Sequence, residues 1–496
     1  MKNQFGSRRI FYNNFVEHLL NSFNPNMTYM DKPNRWSDED WVGVMDMVAD
    51  CGFNVYEFWL APRLFCREAL DSEFAREYIR QIHVAAEQAH KRGLKVEMIC
   101  CLVTVGSDWR SYCPNCPEEW EEIRFLWKSW AEKLDCVDIF CLFPGDPGSC
   151  SRNGCNAITY IDRSIEITHL IKSVRPDAEF DFNTWGPPFF GWGLLEGPPG
   201  WKGEFYQDRQ ERAWLFDPER ARESMEHLLK RVDDFAKPCV VSINMGFNPD
   251  GIPIGEEDGR PWARRLSEKV PVLTWDFSLT EGENGIFPHY RFERLFAQRR
   301  KEREADCYSG GICYTMTPFL NVLSFYESAR SFLEPDADGN EVAYEFYEKA
   351  FGEGAGELAG YMELFEIIPE WGNHVKINLS RKEYHEKMRD FCEKIASWKG
   401  RLNGSFKIYP SAEFHRSELE FFASVFRDLS GDNPDFNSLK KKYFDHVYAI
   451  YDSLPQHVDP RPALAIKKIF GFFENFGHGT VNEDAPAPGE WVRKRE

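Results

Sequence analysis

The sequence predicts a (β/α)8 barrel followed by an all-helical C-terminal domain. Three observations carry that reading. Strand-like and helix-like patterns alternate through the first two-thirds of the 496 residues. Eight strand-like runs occur there, and repeated βα units imply a parallel sheet with right-handed crossovers. From about Phe325 the strand signal stops and only helical periodicity remains. An open doubly wound sheet is the competing layout, but no glycine-rich dinucleotide loop follows the first strand.

The first strand, near Arg9–Tyr12, has the weakest pattern. A helix over Asp38–Asp50 is signalled by Ser37 as N-cap with Asp40 three residues on, and Gly52 ends it. Asn54–Leu60 (NVYEFWL) follows as a strand. The long amphipathic stretch from Ser72 to Lys91 is closed by Gly93. Lys95–Val103 contains the apolar run Met98–Val103, the pattern of a strand buried on both faces. Helices over Glu118–Leu134, Ala157–Ser173 and Pro218–Phe235 then alternate with strands over Val137–Phe143, Ala178–Asn183 and Val240–Met245. A short helix near Trp262–Ser267, the strand Val272–Phe277, a helix over Tyr290–Glu304 and the strand Gly311–Met316 complete the barrel. The barrel domain is read as 1–325, a helical domain as 326–480 and a charged tail as 481–496. Helices are expected over Glu341–Phe351, Gly356–Ile368, Arg381–Lys399, Ala412–Leu429, Phe436–Ser453 and Pro462–Phe476.

Charge and composition narrow the function. Sixty Lys and Arg against eighty Asp and Glu give a net charge of −20, spread along the chain. Phosphate contacts need a basic surface, so a nucleic-acid partner is not expected. No apolar run approaches the ~18 residues of a membrane span. The start, MKNQFGSRRIFYNNF, lacks the apolar core of a secretory leader, so a cytoplasmic location is expected. The 14 cysteines are accordingly expected as free or metal-bound thiols. Aromatic residues make up 15% of the chain, with 16 Trp. Most belong to the core, but a Trp excess also suits a sugar-binding cleft.

A barrel keeps its reactive groups at the C-terminal ends of its strands. The polar residues there are Glu57, Arg63, Asp108, Asp146, Asp181, Asn183, Asn244, Asp276, Glu281 and Glu283, with His289 nearby. Asp146 sits in LFPGDPGSC just past the fourth strand. Pro144 and Pro147 fix φ on either side of it, so this carboxylate is aimed rather than loose. Asp276 ends the seventh strand beside Trp275, an apolar setting that raises a carboxyl pKa. Glu281 and Glu283 follow in a glycine-punctuated loop. Two carboxylates at opposed strand ends are what glycoside hydrolysis requires: one protonates the leaving oxygen, the other attacks or activates water. Glu57 lies mid-strand, on a different face from Tyr56 and Phe58. It is read either as a ligand for a sugar hydroxyl or as the partner of Arg63. Arg63 itself is a candidate for meeting a substrate carboxylate. Trp59, Trp109, Trp185, Trp192, Trp201, Trp262 and Trp275 follow strand ends. The loop NTWGPPFFGWGLLEGPPGW (183–201) has the length and composition of a binding wall, with an oligomer interface as the alternative.

One cysteine constellation stands apart. Cys113-Pro-Asn-Cys116 follows the third strand, and Cys150 and Cys155 follow the fourth, directly after Asp146. The two pairs come from adjacent loops on one rim. Four thiolates so placed form a tetrahedral structural zinc site; free buried thiols or disulfides are the alternatives.

Taken together, FPGDPGSC, WDFSLTEGENGIFPHYRFERL and GGICYTMTPFLNVLSFYESARSFLEPDAD resemble stretches of barrel glycoside hydrolases of the α-glucuronidase-like and β-N-acetylhexosaminidase-like group. The resemblance covers most of the chain in layout. It implies a barrel followed by a helical domain, with Asp146 as general acid and Asp276 or Glu281 as base or nucleophile. The candidate sugar contacts, read from residue type and strand-end position, are Glu57, Trp59, Arg63, Asn183, Trp185, Trp275, Glu283 and His289. The adjacent Asp-Glu pair of the enzymes that use the substrate's own acetamido group is not matched, because Pro147 follows Asp146.

The expected activity is thus hydrolysis of short oligosaccharides or glycosides from a non-reducing end, with no cofactor needed for chemistry. A homo-oligomer is compatible with this. A metal-dependent barrel isomerase or lyase is the first alternative, and it needs a His/Asp/Glu cluster at the strand ends. Of twelve histidines only His289 falls near that rim. A non-catalytic carbohydrate-binding protein is the second alternative.

Overall fold

The computed structural model describes residues 5–12, 36–60, 62–106, 110–144, 150, 152–184, 218–244, 256–276, 288, 290, 292–315, 321–365, 379–435, 437–439, 441–442 and 445–446. Eight parallel strands close into a barrel. They are β1 (Ser7–Tyr12), β2 (Val55–Trp59), β3 (Lys95–Cys101), β4 (Ile139–Phe143), β5 (Glu179–Asn183), β6 (Cys239–Asn244), β7 (Val272–Asp276) and β8 (Gly310–Thr315). Each pairs with its neighbours in sequence order, and β8 closes on β1. At the closure the N–H groups of Gly6 and Ser7 donate to the Ser309 carbonyl at 2.8 and 3.2 Å. Gly310 is required there, because a Cβ on it would collide with the Ser7 carbonyl oxygen.

The helices between strands begin where the sequence places their caps. In α1 (Asp38–Cys51) Ser37 and Asp40 form a reciprocal capping box, and Gly52 terminates the helix at φ +104°. Ser72 caps α2 (Glu73–Lys91). Pro117 opens α3 (Pro117–Lys133), where its missing N–H costs nothing. Asn156 caps α4 (Ala157–Val174). Then come α5 (Pro218–Arg231), α6 (Glu256–Ser267) and α7 (Phe292–Ala305). The sixth helix is longer than the sequence predicts, and it contains Trp262, expected near a strand end. A small antiparallel ribbon, Thr104–Val105 against Arg110–Ser111, follows β3.

The chain divides into two compact units, and they are not consecutive in sequence. The first holds β1–β7, most of β8 and helices α2–α6. The second gathers α1 with the helices after β8. Those helices are α8 (Val322–Leu333), α9 (Gly339–Phe351), a 3-10 helix (Ala355–Phe365), α10 (Arg381–Ser397) and α11 (Ala412–Leu429). No strand occurs among the described residues of this unit after β8. Within it, the Tyr409 hydroxyl donates to Asp40 of α1 at 2.5 Å, and Lys407 pairs with Asp46 at 3.0 Å. Arg330 ties α8 to α9 through Glu345 at 2.8 Å. The sequence reading places no helix over α8, where Ser324, Glu327, Ser328 and Ser331 are buried, so polar residues do not mark an outer face. The stretch expected as an α-helix over Gly356–Ile368 is 3-10 over Ala355–Phe365. The expected helix Pro462–Phe476, most of Phe436–Ser453 and the tail lie outside the described residues. No described helix is long and apolar enough to cross a membrane.

Candidate active site

Alternation along the strands decides which side chains enter the barrel. On β5, Phe180 and Phe182 point outward, with Phe182 stacked on Tyr160 of α4 at 4.9 Å, so Asp181 and Asn183 point in. The same parity turns Arg9, Glu57, Glu97, Cys141 and Ser242 inward. They form one polar layer in the middle of the barrel.

That layer is an ionic cluster. Arg9 Nη1 donates to both Glu97 oxygens at 2.6 and 2.7 Å and to Asp181 Oδ2 at 2.7 Å. The Ser242 hydroxyl donates to Asp181 Oδ1, and Arg9 Nε donates to Ser7 Oγ at 3.0 Å. Glu57 is 0% exposed and has no hydrogen-bond partner among the described residues. One guanidinium therefore faces three buried carboxyls, and they cannot all ionise. Burial pushes Glu57 well above the usual carboxylate range, and the charges of Glu97 and Asp181 push it further. Burial also pushes Glu97 up to about 8, against the pull of Arg9. Asp181 is raised by burial, with Arg9 and the Ser242 hydroxyl opposing. Glu57 is the member held back from ionising most firmly, since no hydrogen-bond donor among the described residues reaches it and the charges of Glu97 and Asp181 oppose its own.

This corrects two sequence expectations. Glu57 faces Arg9 and not Arg63, and Asp181 belongs to the interior rather than the rim. Arg63 instead lays its guanidinium over the Phe74 ring at 4.6 Å. The site that sequence reading missed is Arg9 with Glu97. Its one signal is a charged residue next to the apolar run of a strand, Arg9 before IFY in β1 and Glu97 before MICC in β3.

The cluster has a pH signature. A glutamate whose folded pKa is raised stabilises the fold fully below its unfolded pKa and loses that contribution as pH rises through the folded one. Glutamine mimics the protonated acid without titrating. Glu57→Gln is therefore expected to match wild type near pH 4 and to gain on it above about pH 4.5. The gain is at most about 1.4 kcal/mol per pH unit. Urea midpoints of the two proteins from pH 4 to 8 check this, and a constant difference would contradict it.

One step nearer the C-terminal rim lies an aromatic layer. Trp275 of β7 meets Phe143 of β4 across the barrel, edge to face, with centroids 5.6 Å apart and planes at 80°. Trp275 is 1% exposed and Trp59 5%. A sugar-stacking platform needs an open ring face, so the two indoles are corrected to a closed aromatic layer inside the barrel. Asn183 is buried beside them, and its carbonyl accepts from the Tyr160 hydroxyl at 2.8 Å, pinning α4 to the strand end. Trp262 lies on α6 with Arg265 over its ring at 4.9 Å.

At the rim itself, Asp276 closes β7 and is paired in register with Cys313, and Asn244 closes β6 opposite Trp275. Phe143 ends β4 and Pro144 follows it, buried, so the segment carrying Asp146 leaves from the C-terminal rim. Asp146, Glu281, Glu283, His289, Trp185, Asp108, Trp109, Trp192 and Trp201 lie outside the described residues, as do the side chains of Asp276 and Asn244.

The four rim cysteines come together in the first unit. Cys113, Cys150 and Cys155 are buried as one group with their sulfurs within 4.8 Å of one another. Cys116 packs against the trio and is partly exposed. Asn153 and Gly154 adopt φ +54° and +73°, which folds the Cys150–Cys155 loop back on itself. Arg152 clamps the two loops by donating to Glu119 at 2.6 Å and to the Ser111 carbonyl at 3.2 Å. Glu119 also accepts from the Cys113 N–H. A hydrogen bond from Cys155 draws the Cys150 thiol down to about 6, and the same contact pushes Cys155 up.

Glu57, Glu97 and Cys141 also lie close enough together to hold a metal. The Arg9 guanidinium already bonds Glu97 there, and a second cation would meet it.

No protein-family model matches the sequence, and no curated protein matches it either. Solved structures do match. A GH138 enzyme described as targeting pectin rhamnogalacturonan II aligns with 100% of this chain and 85% of its own. Its TM-score is 0.53 at 11% identity. CpGH84B aligns with 100% of this chain and 78% of its own, at TM-score 0.51 and 12% identity. Both are glycoside hydrolases with TIM-barrel-like folds. The chain has the fold of these enzymes. At such identities the likeness is one of fold, and the chemistry must be argued from the residues.

Proposed function

We propose that the protein is a glycoside hydrolase that removes sugars from the non-reducing ends of short oligosaccharides or glycosides. One observation supports the proposal: the chain has the closed-barrel fold of two glycoside hydrolases, with Asp146 three residues past the end of β4 in sequence and Asp276 the last residue of β7. Barrel enzymes place their chemistry at the C-terminal ends of their strands. Asp146, in its Pro-flanked turn after β4, is the general acid that protonates the glycosidic oxygen. Asp276 or Glu281, after β7, is the base or nucleophile on the opposite side of the sugar. The aromatic floor of Trp59, Phe143 and Trp275 excludes water beneath the reacting carbon and keeps the local dielectric low. Arg63, Trp185, Glu283 and His289 contribute substrate contacts around it, while Asn183, fully buried, belongs beneath the site. The reaction needs no metal or organic cofactor in this scheme.

The test is product analysis after incubation with short oligosaccharides drawn from plant cell-wall and amino-sugar glycans. Release of a single monosaccharide at each cut is expected. A ladder of internal fragments would contradict exo-action, and intact substrates throughout would contradict hydrolysis of these glycan classes.

A further inference from the structure

We propose that Cys113, Cys116, Cys150 and Cys155 bind a zinc ion that clips the loops after β3 and β4 together. The inference goes beyond hydrolysis and does not depend on it. The Cys113 and Cys155 sulfurs are 3.6 Å apart. A tetrahedral ion with Zn–S bonds of about 2.3 Å sets its sulfurs about 3.8 Å apart, whereas a disulfide needs about 2.05 Å. The spacing fits an edge of a coordination tetrahedron as well as a thiol–thiol hydrogen bond, and it is too long for a disulfide. The Cys113 and Cys150 thiols reach the Arg152 carbonyl at 3.7 and 3.9 Å, contacts a bound ion would replace, while two donors point at sulfur. The Arg152 backbone N–H donates to Cys150 Sγ at 3.3 Å, and the Asn153 side-chain amide donates to Cys113 Sγ at 3.3 Å. Donors aimed at sulfur are what metal-bound thiolates recruit, and a plain apolar thiol has no need of them. Cys116 completes the set. It shares a tight turn with Cys113, its N–H donating to the Cys113 carbonyl at 3.0 Å, and it packs on the trio. Its thiol now rests on Glu118 at 3.2 Å, a contact it would exchange for the metal. Being partly exposed, it also marks the way in.

Binding forms four Zn–S bonds and sends the thiol protons to solvent, with nothing oxidised or reduced. The place of the site in the fold gives it a purpose. Cys116 is the N-cap of α3, and Cys155 directly precedes Asn156, the N-cap of α4. The ion would lock the starts of two neighbouring barrel helices and anchor one end of the segment that carries Asp146.

The experiment measures metal in the full-length protein purified without chelator, then replaces it with cobalt(II) under reducing conditions. About one zinc per chain is expected. The cobalt form is expected to show intense visible bands and near-ultraviolet thiolate charge transfer, the signature of a tetrahedral sulfur site. Cys113→Ser is expected to lose both. If that variant does not fold, the wild-type cobalt spectrum decides by itself. A wild-type chain that contains no zinc and takes up neither zinc nor cobalt would overturn the proposal, as would a disulfide among these four residues in reduced, metal-supplied protein. Neither readout involves turnover, so an inactive hydrolase leaves the zinc result standing.

Discussion

Arg9→Met is expected to destabilise the barrel by about 3–5 kcal/mol at neutral pH, the cost of breaking a buried ion pair from one side. Among the described residues Arg9 is the cation facing Glu57, Glu97 and Asp181, and it reaches two of them through one nitrogen at 2.6–2.7 Å. Methionine fills similar volume but leaves the carboxyls without a counter-charge. They then bind protons more tightly in the folded state, so the deficit is expected to shrink as pH falls toward 5. Urea unfolding of wild type and variant at pH 5 and pH 8 measures this. A deficit below about 1 kcal/mol, or one that grows toward acid pH, would show that the cluster is not held by Arg9.

Asp146→Asn is expected to lower turnover by about 10²–10⁴-fold, the usual contribution of a positioned general acid. Asparagine keeps the shape of the turn but has no proton to give the departing oxygen. The loss is therefore expected to be largest for substrates with poor leaving groups and smaller for activated aryl glycosides, which depart with little protonation. KM should change far less than kcat, because the residue acts on the transition state. A uniform loss across leaving groups would instead assign Asp146 a positioning role.

Much of the fold was legible because each local signal was self-contained. Ser37 with Asp40, the closing glycines at 52 and 93, and the apolar run into β3 announce their elements without reference to distant residues. The exceptions share one cause. β1 is weak in sequence because Arg9 occupies an inward position where an aliphatic residue is expected. Its justification lies in Glu97 and Asp181, 88 and 172 residues away. Glu57 was misassigned for the same reason, as Arg63 is near in sequence while Arg9 is near in space. α8 escaped notice because polar residues such as Ser324, Glu327 and Ser328 are buried in it, so polarity does not mark its outer face. Trp59 and Trp275 show a further limit. Sequence places an indole near a strand end but does not say whether its face is open, and here packing against neighbours such as Phe143 closes it.

The cysteines were the opposite case. Their spacing pointed to two adjacent loops, and three of the four thiols do meet in one buried group with the fourth against it. Here topology did the work: a βα repeat returns the chain to the same rim after each helix, so residues just past consecutive strands become neighbours.

The most direct test of the proposed function is hydrolysis of a panel of aryl glycosides at neutral pH, with wild type and Asp146→Asn assayed side by side. With phenyl and other poor leaving groups in the panel, the account predicts release from one glycone by wild type and a strong reduction in the variant, which names the sugar and the acid together. Equal release by both proteins, or release from no glycone by wild type, would contradict it.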